Sequence, residues 1–412
     1  MKALIKIAVA TVVASMASGC GDSSHSPEVR NRATVPLEVV QEAVAMCSAG
    51  AGPQKQNCYE TLLLGRLDVG GVADALAMLA AVSELDRSVQ RYGHVYVHAI
   101  GITAYQKNPN LVEVFSSCSN LFQSGCYHGV LQAHLMTLDK LGADDIDAVC
   151  EPYKGFRADR WLLFQCLHGL GHGLTMFYGH HLLHALEGCD QLSSDWDQQS
   201  CYGGAFMENI INATSPHHLA TELMPGNAAT GDGAADGYDE RTTMDQHEHP
   251  AASWKALDSE DPHYPCSILE QRYLRDCYMM QTSAMLWMNG GDIAAAARSC
   301  DGAPEDMRPI CYQSLGRDIS SYTLQDPDRS ITLCNKGDEQ YWAWCYIGLV
   351  KNFIDLTART ESAFEFCREV EGSGNKMKCY EAIGEQIYML HNTTAQRKAL
   401  CDDSEGKPYA QA

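Results

Sequence analysis

Cysteines recur through this chain at a fixed period, and that period constrains the fold more than any other feature. In the C-terminal part, the pairs Cys266/Cys277, Cys300/Cys311, Cys334/Cys345 and Cys367/Cys379 have first members 34, 34 and 33 residues apart, and second members 34 apart throughout. Cys401 stands another 34 residues on with no second member after it. Cys47/Cys58, Cys118/Cys126, Cys150/Cys166 and Cys189/Cys201 make four further neighbouring pairs. Seven of the eight second cysteines are followed by tyrosine and then by helix formers, as in "CYQSLGRDIS" and "CYIGLVKNFI". Short helical runs such as "GDIAAAARSC", "SAFEFC" and "LVEVFSSC" lead up to first cysteines, so the unit is helix, loop, helix. A two-helix unit near 34 residues has the period of a helical solenoid, in which each hairpin buries its apolar face only against its neighbours. The expected fold class is therefore all-α, a solenoid of helix-turn-helix repeats. A first cysteine ending one helix and a second opening the next would staple each hairpin, adding roughly 2–4 kcal/mol per bridge.

Paired cysteines need an oxidising compartment, and the N-terminus supplies an address. "MKALIKIAVATVVASMASGC" carries two lysines, an apolar run and small residues before Cys20, the form of a secretory signal over residues 1–19. Ala17-Ser18-Gly19-Cys20 resembles a bacterial lipoprotein processing box, with Ala17 where that box usually has leucine. The resemblance implies a lipid on Cys20 and a membrane anchor at the bacterial cell envelope. Residues 20–35 read as a polar tether. The body is similar to the cysteine-rich, Sel-type relatives of tetratricopeptide proteins, a likeness of architecture that implies a curved scaffold and says little about chemistry. After the first twenty residues no apolar stretch reaches the length needed to span a bilayer. A formal charge of -22 argues against nucleic acid or anionic lipid as a partner.

Two irregularities divide the body. Between Cys58 and Cys118 lies room for one more hairpin without cysteines. Cys266 follows Cys201 by 65 residues, far more than the spacing elsewhere, so residues 214–262, rich in Gly, Asp, Pro and His, read as an inserted loop. Residues 36–213 are then the N-terminal repeats, and 263–412 the C-terminal ones. Loops of that length in a compact array serve as lids or binding elements, or are disordered.

The histidines concentrate in the N-terminal repeats. The second residue after the second cysteine is His128 in "CYHG" and His168 in "CLHG", but Gly203, Met279, Gln313, Ile347 and Glu381 elsewhere. Counting back from Cys118 puts His98 at the same level in the cysteine-free repeat. His94 precedes His98 by four residues and His172 follows His168 by four, so each pair shares one helical face. His94, His98, His128, His168 and His172 therefore form the candidate metal set. Glu208, in the next repeat, is a candidate carboxylate. His180, His181 and His184 fall on the following leading helix, and His134 turns away from the set. All-imidazole ligands suit copper, iron or zinc. Haem b held by two histidines fits less well, and no CxxCH motif is present for covalent haem. Two facing HxxxH helices would also allow a dinuclear oxidoreductase centre. "GDGAADGYDE", with Asp232, Asp236, Asp239 and Glu240, departs from the EF-hand spacing and reads as a solvated acidic loop; His247 and His249 could fold over the histidines. No HExxH, GxSxG or phosphate-loop motif occurs. The other reading from the sequence is an envelope scaffold whose concave face holds a peptide, glycan or protein.

Overall fold

The structure, a computed structural model, describes residues 35–50, 52–155, 160–214, 254–357, 359–391 and 393–402. Cys20, the residues read as signal and tether, and residues 215–253 lie outside them. The described residues are helical, without a strand, and no helix among them is long and apolar enough to cross a membrane.

Helices alternate between short outer and longer inner members. The first hairpin is α1 (Leu37–Ser48) with the start of α2 (Pro53–Leu85). Gly71, at φ 74°, breaks α2, a conformation glycine adopts without a Cβ penalty. Its second half pairs through α3 (Arg87–Gln90) with α4 (Gly93–Lys107) and forms the cysteine-free repeat. Then follow α5 (Leu111–Ser117) with α6 (Gly125–Leu135), α7 (Ala143–Val149) with α8 (Arg160–Phe177), and α9 (Leu182–Cys189) with α10 (Asp195–Thr214). After the insertion come α11 (Gln271–Met288), α12 (Ile293–Asp301) with α13 (Arg308–Thr323), and α14 (Pro327–Cys334) with α15 (Trp342–Thr357). The described chain closes with α16 (Glu361–Glu369), α17 (Ser373–Leu390) and α18 (Thr394–Asp402). Inner helices α2, α4, α6, α8, α10, α11, α13, α15 and α17 pack one on the next in chain order, as a solenoid requires. Outer helices start at side-chain caps where the sequence provides them: Asn110 for α5, Asp292 for α12 and Asp326 for α14, each satisfying a backbone N–H that the first turn leaves open.

All eight expected cysteine pairs are bonded, with Cα atoms 5.5–5.8 Å apart: Cys47–Cys58, Cys118–Cys126, Cys150–Cys166, Cys189–Cys201, Cys266–Cys277, Cys300–Cys311, Cys334–Cys345 and Cys367–Cys379. Cys401 lies in α18 outside these pairs. The tyrosine after the second cysteine adds a latch. Tyr312 donates to Asp301 at 2.7 Å, Tyr346 to Asn335 at 2.6 Å, and Tyr202 to Asp190, in each case the residue directly after the first cysteine of the pair. Disulfide and phenol thus clamp the same turn.

Two expectations about where the cysteines sit need correcting. The second cysteine does not generally open its helix: Cys166, Cys277 and Cys379 lie six residues past Arg160, Gln271 and Ser373, well inside α8, α11 and α17. The segments "RWLLFQ", "QRYLRD" and "SGNKMK" before them hold no proline, and a single glycine, Gly374, in the first turn of α17, so nothing stops the helix from extending back past the bridge. In α13, Pro309 stands in the first turn and Cys311 comes soon after it, the position a helix start allows proline. At Cys166, Cys277 and Cys379 the bridge therefore ties the outer helix or turn to the body of the inner helix rather than to its first residue.

The second correction concerns the sixth repeat. Cys266, the partner of Cys277, does not end a leading helix; it sits in a single 3-10 turn, Cys266–Ile268. The end of the insertion replaces that helix with a docked strap. Trp254 Nε1 donates to Asn209 Oδ1 at 2.9 Å, Asn209 Nδ2 returns a bond to the Ala256 carbonyl at 3.1 Å, and Gln281 Nε2 reaches the carbonyls of Pro262 and Tyr264 at 2.9 and 2.8 Å. Both ends of the expected loop are therefore structured: Thr214 belongs to α10, and residues 254–262 are held by buried amides.

Glycines set how closely inner helices approach. A Cβ on Gly204 would lie 1.8 Å from the His168 carbonyl oxygen, and one on Gly171 2.0 Å from that of Cys201. The same reciprocal contact joins Gly101 to Cys126 and Gly129 to His98. In the C-terminal half it joins Gly316 to Cys345 and Gly348 to Gln313. Gly129, Gly204 and Gly348, each three residues after a second cysteine, are backbone crossing points; Gly169, at the same place after Cys166, instead meets the Leu131 side chain.

Hairpins far apart in the array also meet. Phe122, Gln123 and Ser124, at φ 51°, 57° and 60°, form a left-handed turn before α6, at a cost of roughly 1–2 kcal/mol per residue. Backbone bonds hold it: Phe122 N–H donates to the Leu356 carbonyl at 3.1 Å and Gln123 N–H to that of Asp355 at 3.0 Å. Gln123 also donates through its amide to Asn352. Gln90 donates to Gln325 at 2.6 Å beside them. The third hairpin therefore caps the C-terminal end of α15 in the eighth.

Candidate metal centre

All five histidines of the set converge. His94 and His98 come from α4, His128 from α6, and His168 and His172 from α8, the helices that the glycine contacts draw together. Ring centroids lie 4.6 Å apart for His94/His98, 5.4 Å for His98/His128, 4.9 Å for His128/His168, 5.0 Å for His128/His172 and 5.2 Å for His98/His172. His94 is partly exposed; the other four are buried. Two overlapping triads result, His94/His98/His128 and His128/His168/His172, and in each the ligand nitrogens lie within 4.8 Å of one another.

Tautomers follow from the surrounding acceptors. His94 Nδ1 lies 2.9 Å from the Phe122 carbonyl, which can only accept, so Nδ1 carries the proton and Nε2 the lone pair. Glu208 Oε2 accepts from His172 Nδ1 at 2.8 Å and from Gln132 Nε2 at 2.9 Å. That bond fixes the Gln132 amide with its oxygen toward His98, where it accepts from Nδ1 at 2.9 Å. His98 therefore also presents Nε2 as a lone pair, and it lies 3.1 Å from His94 Nε2. Two neutral lone pairs at this separation repel unless a cation lies between them. Two nitrogens on one tetrahedral ion, each at 2.0–2.1 Å, stand about 3.3 Å apart. His128 donates Nε2–H to Gln165 Oε1 at 3.1 Å, leaving a buried Nδ1 without a hydrogen-bond partner.

The electrostatics favour neutral rings. Burial, followed by neighbouring histidines, holds His128 and His168 well below the ordinary imidazole range, so both keep the form that ligates metal. The rings are in mutual contact, which suits an ion rather than a porphyrin.

Glu208, the candidate carboxylate of the next repeat, joins the cluster as a hydrogen-bond acceptor. It is buried at 6% exposure and orients two histidines, His172 directly and His98 through Gln132, the outer-shell role carboxylates commonly play at imidazole sites. Gln132 and Gln165 went unnoticed in the sequence. Gln132 lies one turn after His128 on the same face of α6, but its contact is with His98 on α4, which the sequence does not signal. His134 is turned away as expected and pairs with the Tyr105 hydroxyl at 2.8 Å. His181 and His184 stack at 3.9 Å beside Trp254, outside both triads. His247, His249 and the acidic loop lie outside the described residues. No protein-family model, curated protein or solved structure matches the chain.

Proposed function

We propose that this chain is an exported, lipid-anchored envelope protein whose helical array binds one transition-metal ion through the histidine centre. The observation that carries the reading is the 3.1 Å approach of His94 Nε2 to His98 Nε2, with both Nδ1 protons committed to fixed acceptors. Together with the partnerless Nδ1 of His128, the lone pairs form a preorganised soft-to-borderline donor set, matched to copper, iron or zinc. Neutral imidazole offers one lone pair, so His128 serves one ion at a time and the two triads are overlapping positions for the same ion. Export and lipidation rest on the signal-like N-terminus, Cys20 and the disulfide-rich body.

Metal analysis of protein purified from the envelope, followed by zinc and copper titration of the chelated protein, should give one ion per chain. Replacing His128 and His168 with alanine together should abolish stoichiometric binding while the helical content persists. A double variant that binds as the parent does, or a parent that takes up no ion under any loading condition, refutes the proposal. Two ions per chain would instead indicate a dinuclear centre bridged by His128 as imidazolate.

A further inference from the structure

A second candidate site lies where the first hairpins meet the seventh, and no histidine is among its lining residues. A cavity of about 570 Å³ opens between the first hairpins and the end of α13, within the range that holds small organic ligands. Its wall carries Lys55, Arg87 and Arg91 and the rings of Tyr59, Tyr92 and Tyr322, with no carboxylate among the lining residues. This is unusual in a chain of charge -22. Lys55 is answered by Asp86 at 2.6 Å. Arg87 and Arg91 are exposed, and neither has an acidic partner among the described residues. The Arg91 guanidinium instead stands 5.7 Å from the centroid of the Tyr322 ring. Burial and Asp86 raise the Tyr59 phenol, so it adds no negative charge at neutral pH.

We propose that this cavity binds a small ring-bearing carboxylate, its carboxylate on the Arg87 and Arg91 forks and its ring against Tyr92 and Tyr322. Guanidinium forks match carboxylate geometry, and tyrosine faces supply stacking area. The negative field of the whole molecule selects against polyanions, because a chain of phosphates would meet repulsion everywhere beyond this wall. A monoanion is short enough to feel mainly the local bases. Since Tyr322 and Leu324 come from the end of the seventh hairpin, across the seam from the first two, bound ligand also ties the seventh hairpin to the first two.

Calorimetric titration with 4-hydroxybenzoate, 4-hydroxybenzamide and inorganic phosphate tests this. The acid should bind and raise the thermal midpoint, and the isosteric amide should bind at least about tenfold more weakly. Phosphate, lacking a ring, should also bind more weakly than the acid. Arg87→Ala with Arg91→Ala should lower acid affinity by about tenfold or more. The parent circular dichroism should be kept, because both side chains are exposed. Equal affinity for acid and amide, phosphate binding as tightly as the acid, an unaffected double variant, or no binding of the acid at millimolar concentration each overturns the proposal.

Discussion

Glu208 shows how much of this centre depends on one side chain outside the ligand set. Its Oε2 receives two hydrogens, one from His172 and one from Gln132, and so fixes the direction of lone pairs on two helices. Glu208→Ala should therefore weaken metal binding by about 10- to 100-fold without changing the stoichiometry, as read by competition with a chelator of known affinity. The five histidines themselves were legible in the sequence because the repeat supplies a register: His98, His128 and His168 occupy equivalent positions, and His94 and His172 follow from helical spacing. Gln132, Gln165 and the Phe122 carbonyl were not, because their contacts with the rings run between repeats, and the register of one helix says nothing about which neighbouring amide it meets.

Among elements, the hairpin turns and the inner-helix crossings are over-determined. Each turn with cysteines is closed by a disulfide, and several by the tyrosine latch as well. Peptide mapping without reduction should recover Cys300 with Cys311 and Cys334 with Cys345, never bridges between successive repeats. Removing one pair, Cys300→Ala with Cys311→Ala, should cost roughly 2–4 kcal/mol in denaturant unfolding. The crossing between α8 and α10 tolerates less: Gly204→Ala places a methyl 1.8 Å from a backbone oxygen, so the helices must separate. The expected result is loss of several kcal/mol together with loss of metal affinity. The end of α15 carries a pH dependence. Burial raises Asp355 to about 7, against the weaker pull of Lys351, and the negative end of the helix acts in the same direction. An acid whose folded pKa lies above its unfolded value favours the fold most below the unfolded pKa, and that contribution is lost as pH rises through about 7. The thermal midpoint of the parent should accordingly fall between pH 6 and 8 relative to Asp355→Asn, by an amount equivalent to about 1 kcal/mol. Helix order and disulfide pairing were readable from the 34-residue period. The starts of the helices holding Cys166, Cys277 and Cys379 were not, because a cysteine marks where two helices are joined and not where either begins. Nor was the docked strap before Cys266, since Trp254 and Ala256 find Asn209 only after α10 and α11 have packed.

For the whole molecule, the period establishes that neighbours stack but leaves open the small rotation between repeats, and that rotation decides whether the ends of an array ever touch. Here the third and eighth hairpins touch, through the left-handed turn at Phe122–Ser124. Open repeat arrays unfold as nearly independent units, fraying inward from their termini. The tie between the third and eighth hairpins turns the intervening chain into a closed circuit, so no hairpin inside it can open without breaking a contact at either end of the circuit. Native-state hydrogen exchange should then show the amides of α6 through α15 opening together in one cooperative unit, while those of α1 and α18 exchange sooner and independently. A graded decrease of protection from the middle of the chain outward would mean that the circuit does not hold.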